Sequence, residues 1–177
     1  MPSTSRMPSA IPSLRSLGVF RILFGVMYLQ MALQKAPWVM SDGHRFGWLY
    51  GWIQKEIANP TFGLYRAILQ AVVLPNFNLF GAVSFLAEMV LGLALLLGVF
   101  VPLAGLLGAL WILNIAIGSF NVPGEWPWLW VLLIVPQVVF ALCRAGRPLG
   151  LDAVIARLLA DRFAAGKTLP AWTRYVV

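Results

Sequence analysis

Between Asn78 and Phe100 the chain is almost wholly apolar, and one carboxylate, Glu88, stands near the middle of that run. The run is long enough to cross a bilayer, since about 20 apolar residues rising about 1.5 Å each span the hydrocarbon. A carboxylate at that depth costs on the order of 2.5–3.5 kcal/mol on insertion scales, so it is expected to face the interior and to be protonated, paired or wetted. A carboxyl in such surroundings is suited to proton transfer, which makes Glu88 the catalytic candidate. Among the other polar residues in or beside apolar runs, Arg21, Lys35 and Asn114 are the further candidates. Arg21 reads as a snorkelling arginine reaching back to the headgroups or, more sharply, as the partner of a buried acid. Its depth and that of Glu88 differ by about 10 Å, which two long side chains just bridge, so their pairing stays open. Asn114 suits a hydrogen bond between helices more than a ligand contact.

The elements that must hold these residues follow from length and punctuation. Four runs, at about 17–34, 78–100, 102–120 and 126–143, read as membrane spans. The continuous apolar stretch Asn78 to Phe120 divides at Gly98-Val-Phe-Val-Pro102, with Pro102 in the first turn of the third span. Gly25, one turn after Arg21, permits close approach of a neighbouring helix, as do the small pairs Ala94/Gly98 and Ala104/Gly108. Pro136 is expected to kink the fourth span. In the long connection, Phe46, Leu49, Tyr50, Ile53 and Ile57 recur at helical spacing with Gln54, Lys55 and Glu56 opposite, which predicts a helix lying on the membrane. Asn59-Pro60 ends it, and the apolar piece Phe62 to Leu74 is too short to span. The whole of 46–74 is thus an interfacial segment, placed to cap a site at the outer end. Residues 1–16 form a polar tail with Pro2, Pro8 and Pro12. Residues 146–177 form a second tail, in which Leu151, Val154, Ile155, Leu158, Leu159 and Phe163 make an amphipathic stripe. The expected fold is one all-α domain, an integral membrane four-helix bundle with interfacial amphipathic helices.

Composition agrees. Hydrophobic residues make up 60% and charged residues 11% of the chain, against about 25% charged in soluble domains. The net charge of +7 gathers at the ends, in Arg6, Arg15, Arg144, Arg147, Arg157, Arg162, Lys167 and Arg174. Basic flanks of a hydrophobic chain set topology and meet anionic membrane lipid, so nucleic acid is not expected as a partner. The same bias puts both termini in the cytoplasm. Tryptophans at 126, 128 and 130 suit an aromatic belt. Cys143 is the only cysteine and His44 the only histidine, too few for bis-imidazole haem ligation or a catalytic zinc site, so no metal or covalently bound cofactor is expected. A solute carrier would be sparsely equipped with one mid-membrane acid and no pair of broken helices.

Arg21-Ile-Leu-Phe-Gly25 and Lys35 in the first span, Glu88 with Leu91-Gly-Leu-Ala-Leu-Leu-Leu-Gly98 in the second, and the exit Arg144-Ala-Gly-Arg-Pro-Leu-Gly-Leu-Asp152 together resemble the DoxX/DoxD family of four-helix membrane proteins. The likeness covers roughly residues 17 to 155. The DoxD branch includes the membrane subunit of thiosulfate:quinone oxidoreductase, and DoxX-like proteins belong to redox or stress-response complexes of bacterial membranes. The resemblance therefore implies a subunit in a bacterial inner membrane, facing quinone and working with other protein subunits. Arg21, Lys35, Glu88 and Asp152 are the polar positions that match. On this reading Glu88 passes a proton, while Arg21, Lys35 or Asn114 binds the quinone, and Gly25, Gly98 and Asp152 are structural. The alternative is a non-catalytic accessory subunit packed against a larger respiratory or photosynthetic complex.

Overall fold

The structure, a computed structural model, describes residues 13–164, with side chains from 15 to 159. Most of the expected N-terminal tail, with Arg6, and the basic positions Lys167 and Arg174 lie outside the described residues. The described chain is mostly helical. Helix α1 (Ser13–Gln34) is followed by a small hairpin of β1 (Met40–Ser41) and β2 (His44–Arg45), then α2 (Leu49–Ala58) and α3 (Gly63–Ile68), which runs into a π-helical turn at Leu69–Val73. Helices α4 (Phe77–Leu97), α5 (Val101–Ser119), α6 (Pro127–Leu142) and α7 (Asp152–Ala164) complete it.

Three of these helices, α1, α4 and α5, are long and apolar enough to cross a membrane. Helix α6 is apolar but has only 16 residues. Only about a third or less of the residues along α1 and α4 are buried, so most of their leucine and valine surface faces outward, which is compatible with an integral membrane protein.

Helix α1 packs antiparallel on α4: Arg21 lies at Gly98, Gly25 at Leu96 and Gly92, and Lys35 at Glu88. Gly25 is what allows this contact, because a Cβ there would stand 2.5 Å from the Leu96 nitrogen. Backbone atoms cannot yield to it, so a side chain would push the helices apart. Helices α5 and α6 form the other close pair, with Gly105 against Gln137 and Ala141. Tyr28 ties the pairs together. Its hydroxyl donates to Gln137 Oε1 at 2.9 Å and approaches the Gly108 carbonyl at 3.1 Å. Phe24, Tyr28, Leu95, Ile112 and Phe140 form the core here.

A separate cluster of Phe46, Ile53, Ile57, Leu69 and Phe77 packs around the first half of α4. Helix α1 ends where it meets Glu88, and the hairpin segment continues alongside α4 in its place. Phe46 is therefore not part of the interfacial helix. It precedes α2 with φ at +67° and lays its ring against Gly81, where a Cβ would clash. Periodicity alone assigned it to the helix because its spacing to Leu49 and Tyr50 is helical.

The corner between α4 and α5 is set by Gly98, at φ +69°, and by Phe100, at φ +50°. Pro102 falls in the first turn of α5, as its missing N–H predicts.

Candidate functional site

A cleft of about 910 Å³ runs between α4, α5, α6 and the α3–π segment, with α1, α2 and the hairpin also contributing to its lining. Its size suits a small organic ligand, and its walls are mostly apolar. The π-turn Leu69–Val73 supplies Leu69 and Val73 to the wall; such turns are rare and recur at functional sites.

Lys35 and Glu88 form a buried ion pair on this wall, at 3% and 0% exposure. The Lys35 ammonium donates to Glu88 Oε1, and Trp111 Nε1 approaches the same oxygen at 3.4 Å. The ammonium also lies 5.2 Å from the centre of the Trp48 ring. Glu88 Oε2 is buried with no hydrogen-bond partner among the described residues, and so is the Trp130 indole N–H. Both residues line the cleft. An unused acceptor and an unused donor, each expensive to leave unmade, are what a polar ligand headgroup would satisfy.

A second carboxyl, Glu56, lines the same cleft from α2 and is 6% exposed. It accepts a hydrogen bond from Ser119 Oγ at 2.7 Å, and Ser119 in turn accepts one from Trp52 Nε1 at 2.9 Å. Burial pushes the Glu56 carboxyl above its ordinary range, and the bonds from Ser119 and Trp52 offset only part of this. Tyr65, on α3, is pushed up to about 12, by burial first and then by the Glu56 charge. Glu56 was grouped in sequence with Gln54 and Lys55 on the outward face. Its place three residues after Ile53 and next to Ile57 was the signal that it shares the buried face instead. Trp130, read as a belt residue, is likewise a wall of the cleft.

The remaining candidates divide between the two ends. Asn114 lines the cleft but is exposed, and it is its backbone carbonyl that Tyr65 Oη approaches, at 3.4 Å. The hydrogen bond expected of it between helices is made by Tyr28 and Gln137. Arg21 and Glu88 do not pair: Glu88, in the middle of α4, takes Lys35, while Arg21 lies at the C-terminal end of that helix. Nor does Arg21 snorkel, since it is 0% exposed, with Nη2 donating to the Leu149 carbonyl at 2.9 Å. Antiparallel packing explains this, because α1 enters beside the C-terminal end of α4. Arg21 thus cannot serve the cleft.

Asp152 belongs to the Arg21 end. Its carboxylate accepts the backbone N–H groups of Phe100, at 2.6 Å, and Val101, at 2.9 Å, capping α5 from a distant part of the chain. Its own N–H donates to Gly98 O at 2.9 Å, and that of Leu151 to Leu97 O at 3.1 Å, which satisfies the last carbonyls of α4. Burial raises the Asp152 carboxyl, against the lowering by those two amides, Arg21 and Arg147. Gly98 has no room for a side chain, since a Cβ would run into the Arg21 guanidinium.

Comparison with protein-family models, with curated proteins and with solved structures returned no match. The fold and the cleft define a mostly helical chain, compatible with an integral membrane protein, that carries a buried lysine–glutamate pair beside a ligand-sized apolar cavity.

Proposed function

We propose that the chain is the membrane subunit of a quinone-linked oxidoreductase of the DoxX/DoxD type, possessing a four-helix membrane core of α1, α4, α5 and α6 in a bacterial inner membrane. Both termini are cytoplasmic and α7 lies on that surface. The observation that carries the reading is the Lys35–Glu88 pair with its unused Oε2 on the wall of an apolar cleft. A quinone is an apolar ring with two carbonyl oxygens, so it needs apolar walls and a few polar groups. Lys35 and the Trp130 indole donate to its oxygens, and Glu88 Oε2 accepts from the hydroxyl that forms on reduction. Val83 and Ile68, at 47% and 44% exposure, border the cleft on the outer surface and give a lipid-soluble molecule a lateral way in.

Electrons come from a reduced sulfur compound, thiosulfate in the first instance, or from a partner subunit that handles it. The chain's own residues bind the ring and move protons, a contribution of about 10²–10⁴ in rate where the carboxyl is well placed. The test is thiosulfate-dependent reduction of decylubiquinone by membranes carrying the full chain, alongside mass spectrometry of what co-migrates with it after mild detergent extraction. Bound quinone and activity that falls in Glu88→Gln support the reading. Recovery in fixed ratio with a large respiratory or photosynthetic complex, with no quinone and no activity, makes the chain an accessory subunit instead.

A further inference from the structure

Four carboxyl groups line the cleft, of which Glu56 and Glu88 are buried, and the reading above employs only one of these two. Glu56 sits at the other end of the cavity from Glu88. Its hydrogen-bonding partner, Ser119, is the last residue of α5, whereas Trp111, which reaches Glu88, lies two turns earlier on the same helix. Eight residues of helix separate them by about 12 Å. That gap is too long for direct transfer. The cavity between them has the volume of many waters, each of which takes about 30 Å³.

Among the described residues, no cation forms an ion pair with Glu56. The hydroxyl of Ser119 and the indole of Trp52 hold it, and both are neutral. Besides Glu56 and the Lys35–Glu88 pair, the ionisable groups that line the cleft are Lys55 on α2, with its ammonium 5.2 Å from the Trp52 ring centre, Asp42 of the hairpin, Tyr65 of α3 and Glu125 after α5. Lys35 and Glu88 lie deeper and neutralise each other. Gly118 leaves the carboxyl its space, because a Cβ there would stand 2.8 Å from Glu56. A buried carboxyl held by neutral donors, sharing with a second acid a cavity roomy enough for water, is the arrangement a proton relay needs.

We propose that Glu56 relays protons from the water at the outer mouth of the cleft to the Lys35–Glu88 pair. This rests on the quinone reading. One turnover takes two electrons and two protons into the quinone. Two thiosulfate ions give one electron each and join through a new S–S bond. The Lys35–Glu88 pair gives a proton to one quinone oxygen. Glu56 passes its own proton through water to the pair and takes another from the mouth, and the sequence repeats for the second oxygen. Two O–H bonds form, and the protein ends in its starting protonation state. Glu56 touches neither ring nor donor, so it is a positioning residue for protons and not a catalytic one.

Three measurements on the full chain in lipid nanodiscs and membranes test the proposal. Quenching of tryptophan fluorescence by decylubiquinone reads binding, and the pH profile of thiosulfate-dependent quinone reduction reads the relay. Glu56→Gln should leave quenching and the KM for quinone unchanged, lower kcat about tenfold or more and flatten its pH profile, with Glu56→Asp recovering part of the rate. Ser119→Ala keeps the carboxyl but removes a donor to its charged form, so the profile's limb should move to higher pH, by about one unit. In infrared titration, the protonated-carboxyl band that follows this limb should vanish in Glu56→Gln. Normal quenching with an unchanged kcat and profile in both variants overturns the relay alone. Absence of quenching in the parent chain overturns the quinone reading, and the relay with it.

Discussion

Lys35 and Glu88, 53 residues apart in sequence, meet as a buried ion pair at the point where α1 stops against the middle of α4. Desolvating both charges offsets much of their attraction, so the pair adds little stability compared with apolar residues of the same size. Removing one partner is a different matter. Lys35→Met and Glu88→Gln should each destabilise the chain, Lys35→Met by about 3–5 kcal/mol because it strands a charge. The double variant Lys35→Met with Glu88→Gln should recover much of that loss. Thermal unfolding in detergent of the two singles and the double gives the coupling, and additive losses would exclude the pair.

Gly25 and Gly51 predict opposite signs for the same substitution. At Gly25 a methyl group would press on the backbone of Leu96 and on the Gly92 carbonyl, so Gly25→Ala should cost about 1–3 kcal/mol. Gly51, inside α2, has nothing within 4 Å of the same position, so Gly51→Ala should stabilise by about 0.4–1 kcal/mol. Unfolding midpoints of the two variants, measured side by side, check both.

Glu56 makes stability depend on pH. Its carboxyl is held above the ordinary value in the folded chain, so the folded state binds more protons than the unfolded one between the two values. Stability therefore falls as pH rises through that window and stays lower above it. A series of thermal midpoints from about pH 4 to 8 should show the decline, and Glu56→Gln should remove the share that Glu56 adds, leaving that of the likewise raised Asp152.

Asp152→Ala takes one carboxylate from three groups: the amides of Phe100 and Val101 and the nearby Arg21 guanidinium. The loss of the cap together with a buried unbalanced cation predicts about 2–4 kcal/mol. Asp152→Asn keeps one acceptor oxygen and should lose about half as much. Equal stability of all three chains in denaturant titration would exclude the cap.

The residues legible in advance were those whose signal is local. The apolar lengths marked α1, α4 and α5, and Gly98 with Pro102 marked the corner between the last two, because positive φ and a missing N–H act where they stand. Glu88 was legible as buried because a lone carboxylate in an apolar helix has few other options. Its partner was not. Whether Glu88 meets Arg21 or Lys35 depends on how far along α4 the first helix is laid down, and that register is decided by Gly25 against Leu96 and by the hairpin that takes over after Gln34. Glu56 was misassigned for a related reason. Between two polar neighbours it reads as outward, and only the hydroxyl of Ser119, 63 residues on, makes its burial affordable.

The clasp of Leu149–Asp152 onto the end of α4 has a consequence for where the molecule breathes. Amide groups there are locked by hydrogen bonds between segments far apart in the chain, so they open only when large parts of the fold come apart. In deuterium exchange the N–H groups of Phe100, Val101, Leu151 and Asp152 should be among the slowest, although none sits in the middle of a helix. Among the described residues, the hairpin and the α3–π segment around the cleft have no such pair of backbone bonds to a distant helix, only the long Tyr65–Asn114 contact. Opening for a visitor should thereby fall to the cleft end of the molecule, while the corner between α4 and α5 stays shut.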